Sequence, residues 1–342
     1  MKRILLTASV LLSVYLSVSH AQQDPKFTHY MFNQVVYNPA FIGAEMGDNF
    51  CFNFVQHNQW MGFKSEDEST APLTTAFNLH KPFTIKGKKF GAGLIFTNDG
   101  LGFQSTTNGA LGLSYHHDLG KDAAGKQRWL IGGLNIGFVQ TGLDGSKLKF
   151  IDEGDAIITA LMADGKHMAL DAGIGLLYKT DNYYLGVSTL HIPQSNVDWF
   201  GGLSTTDETK LNRHFYVNGG YDYQLNTNIK IKGVALLKFD RAVWQLDAGA
   251  LLEYDEKVWA GMNIRRTEGF SVLVGGKIWQ HKTPKGVHVV KLGLSYDITT
   301  SKIQGVSNGT LEIMLNYCLP IKLTPKPPTP EQDVRILGGY TF

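Results

Sequence analysis

The chain has 342 residues, 38 of them glycine, and a formal net charge of only +2. Charged residues make up 18% of the sequence, below the roughly 25% of soluble domains. The balanced charge and the lack of a basic stripe exclude nucleic acid as the expected partner.

The first 21 residues have the layout of a secretory signal peptide. Lys2 and Arg3 give a positive start, an apolar stretch follows, and Ser19 and Ala21 supply the small residues of a cleavage site. We therefore expect export and a mature chain that starts at Gln22. Beyond this point no apolar run reaches the ~20 residues that a membrane-spanning helix needs.

The next segment, residues 22–49, does not alternate cleanly between polar and apolar residues. From Asp24 to Ala44 it is rich in aromatic and amide side chains, and Asn38 and Pro39 interrupt it. We predict an irregular segment that packs in or under the mouth of the domain that follows, as a plug.

Period-two alternation dominates residues 50–318. Trp244 and Leu246, for example, fall on one face, whereas Gln245 and Asp247 fall on the other. Successive side chains of a strand point to opposite faces, so such a stretch is a ribbon with one apolar and one polar side. Export, abundant glycine, low charge and this alternation predict an all-β fold, a transmembrane antiparallel outer-membrane β-barrel.

Fourteen strands fit this domain, and an even number is usual for single-chain barrels. With both barrel ends in the periplasm, the four longest connections all fall on the outside. The predicted strands cover residues 50–60, 72–80, 89–97, 104–117, 128–141, 168–179, 182–190, 213–224, 229–239, 242–254, 257–266, 270–280, 286–297 and 310–318.

A soluble periplasmic β-sandwich or β-propeller would alternate in the same way. No repeat of about 40–50 residues is present, which argues against a propeller. Tryptophans at or near predicted strand ends favour the membrane, since indole rings prefer the headgroup level, although large aromatics also pack wherever strands begin. These residues are Trp60, Trp129, Trp199, Trp244, Trp259 and Trp279.

Residues 319–342 follow the last predicted strand. They include a proline-rich stretch at residues 324–330, which should be stiff and extended. We expect a periplasmic tail. The alternative is that Phe342 ends a fifteenth strand and closes the barrel, which would break the even strand count.

Motifs for catalysis or cofactor binding are missing from the sequence. There is no nucleophile elbow, zinc-protease motif or phosphate-binding loop, so we predict a protein that is not an enzyme and has no cofactor or metal. Two clusters lack the arrangement of a metal site, because neighbouring strand residues point to opposite faces and the acidic loop lacks regular calcium-ligand spacing. They are His116-His117-Asp118, and Asp152 with Glu153 and Asp155.

Charged residues on the polar face are concentrated in the last strands. Charges enclosed by a barrel are tolerated when they pair or meet water. We predict a salt-bridge network that stiffens the lumen, with a transport path as the alternative. Its members are Asp247, Arg265, Lys277, Lys291 and Glu312.

The two cysteines lie at the two ends of the predicted barrel. Cys51 begins the first strand and Cys318 ends the last, and both share the parity of inward residues. These two strands must pair to close the cylinder, in an oxidising compartment. We hypothesise a disulfide across the seam. Two free thiols are the alternative, because strand register decides whether the Cα atoms come within about 7 Å.

Several short stretches together resemble the PorP/SprF family, over a region from about Asp24 to Tyr317. They are Gln23-Asp24-Pro25, Tyr30-Met31-Phe32-Asn33, Asn38-Pro39-Ala40-Phe41, Gln59-Trp60, Pro72, Asn98-Asp99 with Gly102, Tyr184-Leu185-Gly186-Val187-Ser188, Gln245-x-Asp247, Trp259-x-Gly-x-x-x-Arg265 and Tyr296-Asp297. Near the final strand the family usually has Gly-Ser-His-Glu. This chain has Gly309-Thr310-Leu311-Glu312, so a role of that serine and histidine does not carry over.

The resemblance implies an outer-membrane component of the type IX secretion system. Its expected partners are the periplasmic ring lipoprotein, a peptidoglycan-binding protein, or a secreted surface protein such as a gliding adhesin. The residues themselves indicate a non-enzymatic barrel in a lipid bilayer, with loops 142–167 and 191–212 and the tail 319–342 as surfaces for partners. The alternative function is an outer-membrane channel or a transporter of hydrophobic solutes, with residues 24–44 as a gate.

Overall fold

The structure is a computed structural model that describes residues 24–44, 49–65, 68–144, 166–197, 210–240, 243–266, 268–284 and 286–320. In it the chain forms a closed barrel. The strands are β1 Asn49–Asn58, β2 Lys64–Ser65, β3 Glu68–Ser69, β4 Leu73–Ile85, β5 Lys88–Leu101, β6 Gln104–Lys121, β7 Gln127–Leu143, β8 Lys166–Thr180, β9 Tyr183–Leu190, β10 His214–Gln224, β11 Ile229–Phe239, β12 Trp244–Tyr254, β13 Val258–Arg265, β14 Gly269–Thr283, β15 Gly286–Thr299 and β16 Thr310–Pro320.

All of these strands except β2 and β3 belong to the barrel, so the predicted fourteen-strand antiparallel barrel is confirmed. β2 and β3 form a small separate hairpin in the connection between β1 and β4. Neighbouring barrel strands pair in chain order, and the ring closes where β1 pairs with β16. This seam runs from Asn49 opposite Pro320 to Asn58 opposite Leu311.

The largest difference from the predicted strands lies at β4. It continues to Ile85, through a stretch predicted as a connection, and only Lys86 and Gly87 join it to β5. Both residues have positive φ, 48° and 77°. A two-residue turn with positive φ matches the right-handed twist of its flanking strands, so the strands extend to the turn.

The four longest connections all lie at the same end of the barrel. The end with long connections, here the long-loop rim, carries 59–72, 102–103, 144–165, 191–213, 240–243, 266–268 and 300–309. The opposite end, the short-turn rim, carries 86–87, 122–126, 181–182, 225–228, 255–257 and 284–285. Outer-membrane barrels have long outer loops and short periplasmic turns, so we expect the long-loop rim to face the outside.

The two faces of the wall differ as the alternation predicts. Met262 and Ile264 are 56% and 68% exposed on the outer surface, whereas Asn263 and Arg265 face inward and are buried. The outer surface therefore presents an apolar band of the kind that contacts lipid. Among the described residues, no helix is long and apolar enough to span a membrane.

The N-terminal segment, Asp24–Ala44, lies inside the barrel, where Phe27, Thr28 and Ile42 are fully buried. It contains three short 3-10 helices, at Tyr30–Phe32, Gln34–Val36 and Pro39–Phe41. The Asn38 side chain accepts a hydrogen bond from the Ala40 N–H at 2.9 Å and caps the third helix, in which Pro39 is the first residue. Asn38 and Pro39 thus start a local element rather than break one.

The lumen is not uniformly polar, contrary to the prediction. Leu236, Leu251 and Leu273 face inward and are almost fully buried, in a cluster with Phe27 and Tyr37 of the N-terminal segment. The segment covers these leucines and keeps them from water, so the wall can carry apolar residues on its inner face.

Two tryptophans predicted at the membrane interface face the lumen instead. Trp129 has the parity of the buried Ile131 and packs against the inner cluster that contains it. Trp259 is 6% exposed, and its ring lies 5.0 Å from that of Phe32, centroid to centroid. It has the parity of inward residues, and its position near a strand end did not reveal this. Trp244 and Trp279 are about half exposed on the outer surface.

Some predictions fall outside the described residues. These are the signal peptide at 1–21, the acidic loop with Asp152, Glu153 and Asp155, Trp199, and nearly all of the proline-rich tail. Within the described residues the barrel begins at Asn49 and ends at Pro320.

Candidate functional site

Glu312 of β16 holds the N-terminal segment against the barrel seam. Its Oε1 accepts hydrogen bonds from the backbone N–H (2.6 Å) and Nδ1 (2.7 Å) of His29. Its Oε2 accepts from the Thr28 N–H at 2.8 Å and from His57 Nδ1 at 2.6 Å. The carboxylate is completely buried, and a buried charge needs such a full set of donors.

Arg265 of β13 is a second anchor. Its guanidinium lies 3.3 Å from Asp247, 3.0 Å from Glu268 and 3.4 Å from Asp297. It also donates a hydrogen bond to the backbone oxygen of Phe27 at 3.2 Å. The wall therefore surrounds one buried guanidinium with carboxylates and turns the remaining donor toward the N-terminal segment.

The N-terminal segment returns two contacts to these carboxylates. The Thr28 hydroxyl donates to Asp297, and Lys26 pairs with Glu268 in the connection after β13. Burial alone would raise the pKa of Glu268, but Arg265 and Lys26 lower it to about 2. Glu268 is therefore ionised at neutral pH and presents a full negative charge to Lys26.

Two asparagines of the family-like motifs tie the segment to the wall. Asn33 Oδ1 accepts hydrogen bonds from the side-chain amides of Asn53 (3.0 Å) and Asn78 (2.7 Å). Asn38 Nδ2 donates to the backbone oxygen of Leu176 at 3.2 Å. The other motif residues have structural roles. Pro39 begins the third 3-10 helix, and apolar contacts in the core come from Tyr30, Met31 and Phe32.

Glycines on the inner wall make room for the backbone of the segment. A Cβ at Gly133 would overlap the backbone of Pro39 and Ala40, and one at Gly91 would overlap the carbonyl of Ile42. Three more glycines make room for side chains of the segment, those of Ile42 and Asn38, so the glycine-lined wall spans β5 to β9. Its members are Gly91, Gly112, Gly133, Gly175 and Gly186.

A third polar cluster lies at the long-loop rim and contains Asp24, His191 and His214. Asp24 Oδ1 is 2.9 Å from His191 Nε2, and its Oδ2 is 3.6 Å from His214 Nδ1. The Tyr216 hydroxyl donates to Asp24 Oδ2, and Asp171 lies 3.0 Å from His191 Nδ1. All three members of the cluster are at most partly exposed.

Charge stabilises this cluster. Burial alone would lower the pKa of His191, but Asp24 and Asp171 raise it to about 10. Burial alone would raise the pKa of Asp24, but His214 and His191 hold it well below its usual range. Asp24 and His191 thus form a buried ion pair at neutral pH.

Two cavities lie on opposite sides of the N-terminal segment. The long-loop cavity has a volume of about 430 Å³ and is lined by Asp24, His191 and His214 among others. The short-turn cavity has a volume of about 320 Å³, and Phe32 and Lys291 are among its lining residues. Among the described residues none lines both cavities, so the segment separates them.

The five predicted lumen charges do not form a single network. Asp247 and Arg265 meet, but Glu312 binds histidines instead, and Lys277 lies 3.9 Å from Glu256 at the short-turn rim. Lys291, which pairs in register with Lys277, lines the short-turn cavity. Parity along a strand gives the face of a residue but not its height in the barrel.

The structure joins Cys51 and Cys318 in a disulfide. They are directly opposite each other in the pairing of β1 with β16, with 4.2 Å between their Cα atoms. His116 and His117 point to opposite faces: His116 is buried against the carbonyl of Ile42, and His117 is exposed.

Sequence reasoning missed His191 and His214. They lie at the two ends of the 191–213 connection between paired strands, and His214 is in register with Leu190. This placement is a usable signal that the two imidazoles are close. No signal indicated the contact of Asp24 with His191 or that of His29 with Glu312, because these contacts join residues more than 150 positions apart.

Most of the chain is similar to known proteins. The model of a family described as type IX secretion system membrane protein PorP/SprF matches residues 19–317. Among curated proteins no relative matches. The toluene transporter TodX of Pseudomonas putida is 13% identical, with 84% of this chain and 93% of that chain covered and a TM-score of 0.49. The toluene transporter TbuX of Ralstonia pickettii is 12% identical, with 84% and 93% covered and a TM-score of 0.46.

Proposed function

The chain belongs to the PorP/SprF family of type IX secretion system membrane proteins, and from this membership we propose that it is a non-catalytic accessory of that system. In this proposal the barrel supports the secretion or surface anchoring of proteins, including gliding adhesins, by binding protein partners at its two ends.

The observation that supports this proposal is the filled lumen. The N-terminal segment crosses it from Asp24, beside His191 at the long-loop rim, to Ala44, whose carbonyl accepts a hydrogen bond from Lys179 near the short-turn rim. Buried hydrogen bonds join the Glu312 carboxylate and the Arg265 guanidinium to the backbone of the segment and fix it in place. In a barrel filled in this way, the two rims are available to bind partners, and the lumen is not an open passage.

The partners in this proposal are the periplasmic ring lipoprotein, a peptidoglycan-binding protein or a secreted surface protein. The long-loop rim would meet the secreted protein, and residues 319–342 would meet the periplasmic partners. An extended, proline-rich chain can add to an edge or groove of another protein at low entropic cost.

Deletion of residues 325–342 tests whether the tail binds the periplasmic partners. We expect the truncated protein to lose co-purification with periplasmic partners and to keep the heat-modifiable migration of a folded barrel. A matched control keeps the full-length chain and replaces the prolines at 325, 327, 328 and 330 with alanine. It distinguishes the effect of the tail's stiffness from the effect of its contacts with a partner. Partners that still co-purify with the truncated protein would refute a role for the tail.

A second candidate is a channel or a transporter of hydrophobic solutes. The cavities on both sides of the N-terminal segment favour it, because displacement of the segment would join them. Conductance and solute uptake in reconstituted vesicles distinguish the two functions. The accessory proposal predicts no steady conductance by the intact protein, and a stable open pore would contradict it.

A further inference from the structure

We propose that Asp24, His191 and His214 bind a divalent transition-metal ion, for which Zn²⁺ is the probe, at the floor of the long-loop cavity. Among the described residues, this is the group in which three histidine or carboxylate ligand atoms all lie within 4.8 Å of one another. The site would join the N-terminal segment to β9 and β10, a role separate from partner binding.

The distances suit a single ion. In a tetrahedral zinc site with bonds of about 2.0–2.1 Å, neighbouring ligand atoms are roughly 3.3 Å apart. Asp24 Oδ1, the oxygen that would bind the ion, is 2.9 Å from His191 Nε2. His214 Nδ1 is 3.6 Å from the other oxygen, Oδ2, and one ligand atom from each of the three residues lies within 4.8 Å of the other two. The two imidazole rings are nearly perpendicular, with 5.3 Å between their centroids. Small rotations of these side chains place three donor atoms around one point.

The atoms behind the ligands also fit a metal site. Histidines that bind metals usually donate their other ring N–H to a carboxylate or carbonyl, which orients the ring. Asp171 lies 3.0 Å from His191 Nδ1, and Asp240 lies 3.8 Å from His214 Nε2. The Tyr216 hydroxyl donates to one oxygen of Asp24 and leaves the other for the ion. His191 and Asp24 thus each have a hydrogen-bonded positioning partner, whereas Asp240 is near His214 but beyond hydrogen-bond distance.

The ligand types narrow the choice of ion. Two imidazoles and one carboxylate suit zinc, copper, nickel or iron, whereas magnesium and calcium prefer oxygen ligands alone. Without an ion, Asp24 and His191 hold each other by charge, and the ion would replace the proton between them. The long-loop cavity, which these three residues line, supplies the route of entry.

The test uses the full-length protein in detergent after treatment with a chelator. Calorimetry with Zn²⁺ and elemental analysis should give one ion per chain, and Co²⁺ should give the visible absorption of a low-symmetry site. We expect His191→Ala with His214→Ala to abolish stoichiometric binding. Asp171→Asn, a change to a positioning residue, should weaken the affinity by roughly 10-fold to 100-fold.

His281→Ala is the matched control, because His281 lies beside His288 on the barrel wall and could bind metal adventitiously. It should leave the single site intact. Asp24→Asn keeps the size of the side chain and tests the third ligand if the double histidine variant does not fold, as judged by heat-modifiable migration. Binding that survives the loss of both histidines, or no stoichiometric binding by the intact protein, would overturn the proposal. The partner-binding function would stand in either case.

Discussion

Glu312 of β16 and His57 of β1 are directly opposite each other across the seam of the barrel, with 2.6 Å between Oε2 and Nδ1. The same carboxylate accepts hydrogen bonds from the backbone of Thr28 and His29. One side chain therefore joins the first strand, the last strand and the N-terminal segment. Glu312 therefore stabilises both the closed seam of the wall and the position of the N-terminal segment in the lumen.

Glu312→Ala should release residues 28–33 from the wall. It leaves two imidazoles and two backbone N–H groups without their acceptor in a buried site, and each buried donor left without an acceptor costs about 1–3 kcal/mol. Hydrogen exchange of the segment and urea unfolding from vesicles measure the effect. Glu253→Ala is the control, since Glu253 pairs with Lys232 on the wall. Equal exchange of the segment in both variants would argue against the anchor.

Gly133→Val should displace the N-terminal segment, because the new side chain would overlap the backbone of Pro39 and Ala40. Overpacking costs typically about 1–3 kcal/mol, and backbone cannot give way as a side chain does. We expect faster hydrogen exchange of residues 38–42 and a rise in conductance. The neighbouring Gly132→Val is the control: a Cβ there meets nothing closer than a Leu176 methyl at 3.8 Å. A Gly133 variant that behaves like the Gly132 variant would refute the tight fit.

Loss of the disulfide should destabilise the barrel without changing its fold. The bond links residues 267 positions apart, and chain entropy alone gives a stabilisation of about 5 kcal/mol as an upper limit. The variant with Cys51→Ser and Cys318→Ser should unfold at lower urea and be insensitive to reductant, whereas the intact protein should respond to it. Two thiols that titrate in the unreduced protein would exclude the bond.

Acidification should loosen the contact between Lys26 and Glu268. The pKa of Glu268 falls on folding from its ordinary 4.5 to about 2. Its contribution to stability is therefore complete above about pH 4.5 and is lost as the pH falls through about 2. Hydrogen exchange near Lys26, followed over this window, should show the change. Glu268→Gln should abolish the pH dependence at this position, and an unchanged profile in that variant would assign it to other carboxylates.

The wall of the barrel could be predicted from the sequence because the direction of each side chain depends only on its position within its own strand. A strand alternates its faces every residue, so the outward Met262 and the inward Arg265 follow from parity. The pairing of the strands that carry Cys51 and Cys318 follows from the need to close a ring, but their direct opposition depends on register, which the sequence does not give. The length of β4 was underestimated, because the Lys86-Gly87 turn is defined by φ angles rather than by a polar run.

The interior could not be predicted in the same way. The height of Lys277 in the barrel depends on the register of every strand before it, which parity does not give. The contacts of Asp24 with His191, and of His29 with Glu312, join distant parts of the chain through the lumen. Trp259 has inward parity, but the ring that covers it comes from the distant Phe32. The contacts inside the lumen depend on where the N-terminal segment packs, and the alternation along a strand carries no information about that.

The enclosure of the N-terminal segment has a consequence for biogenesis. Only residues 45–48 separate this segment from β1, and the wall surrounds it once β1 has joined β16. Later entry would require bulky rings such as Phe27 and Tyr37 to travel lengthwise through a finished cylinder. Entry before closure requires no such passage. We therefore expect a fixed order of assembly: the N-terminal segment takes its place first, and the insertion machinery lets β1 pair with β16 only afterwards.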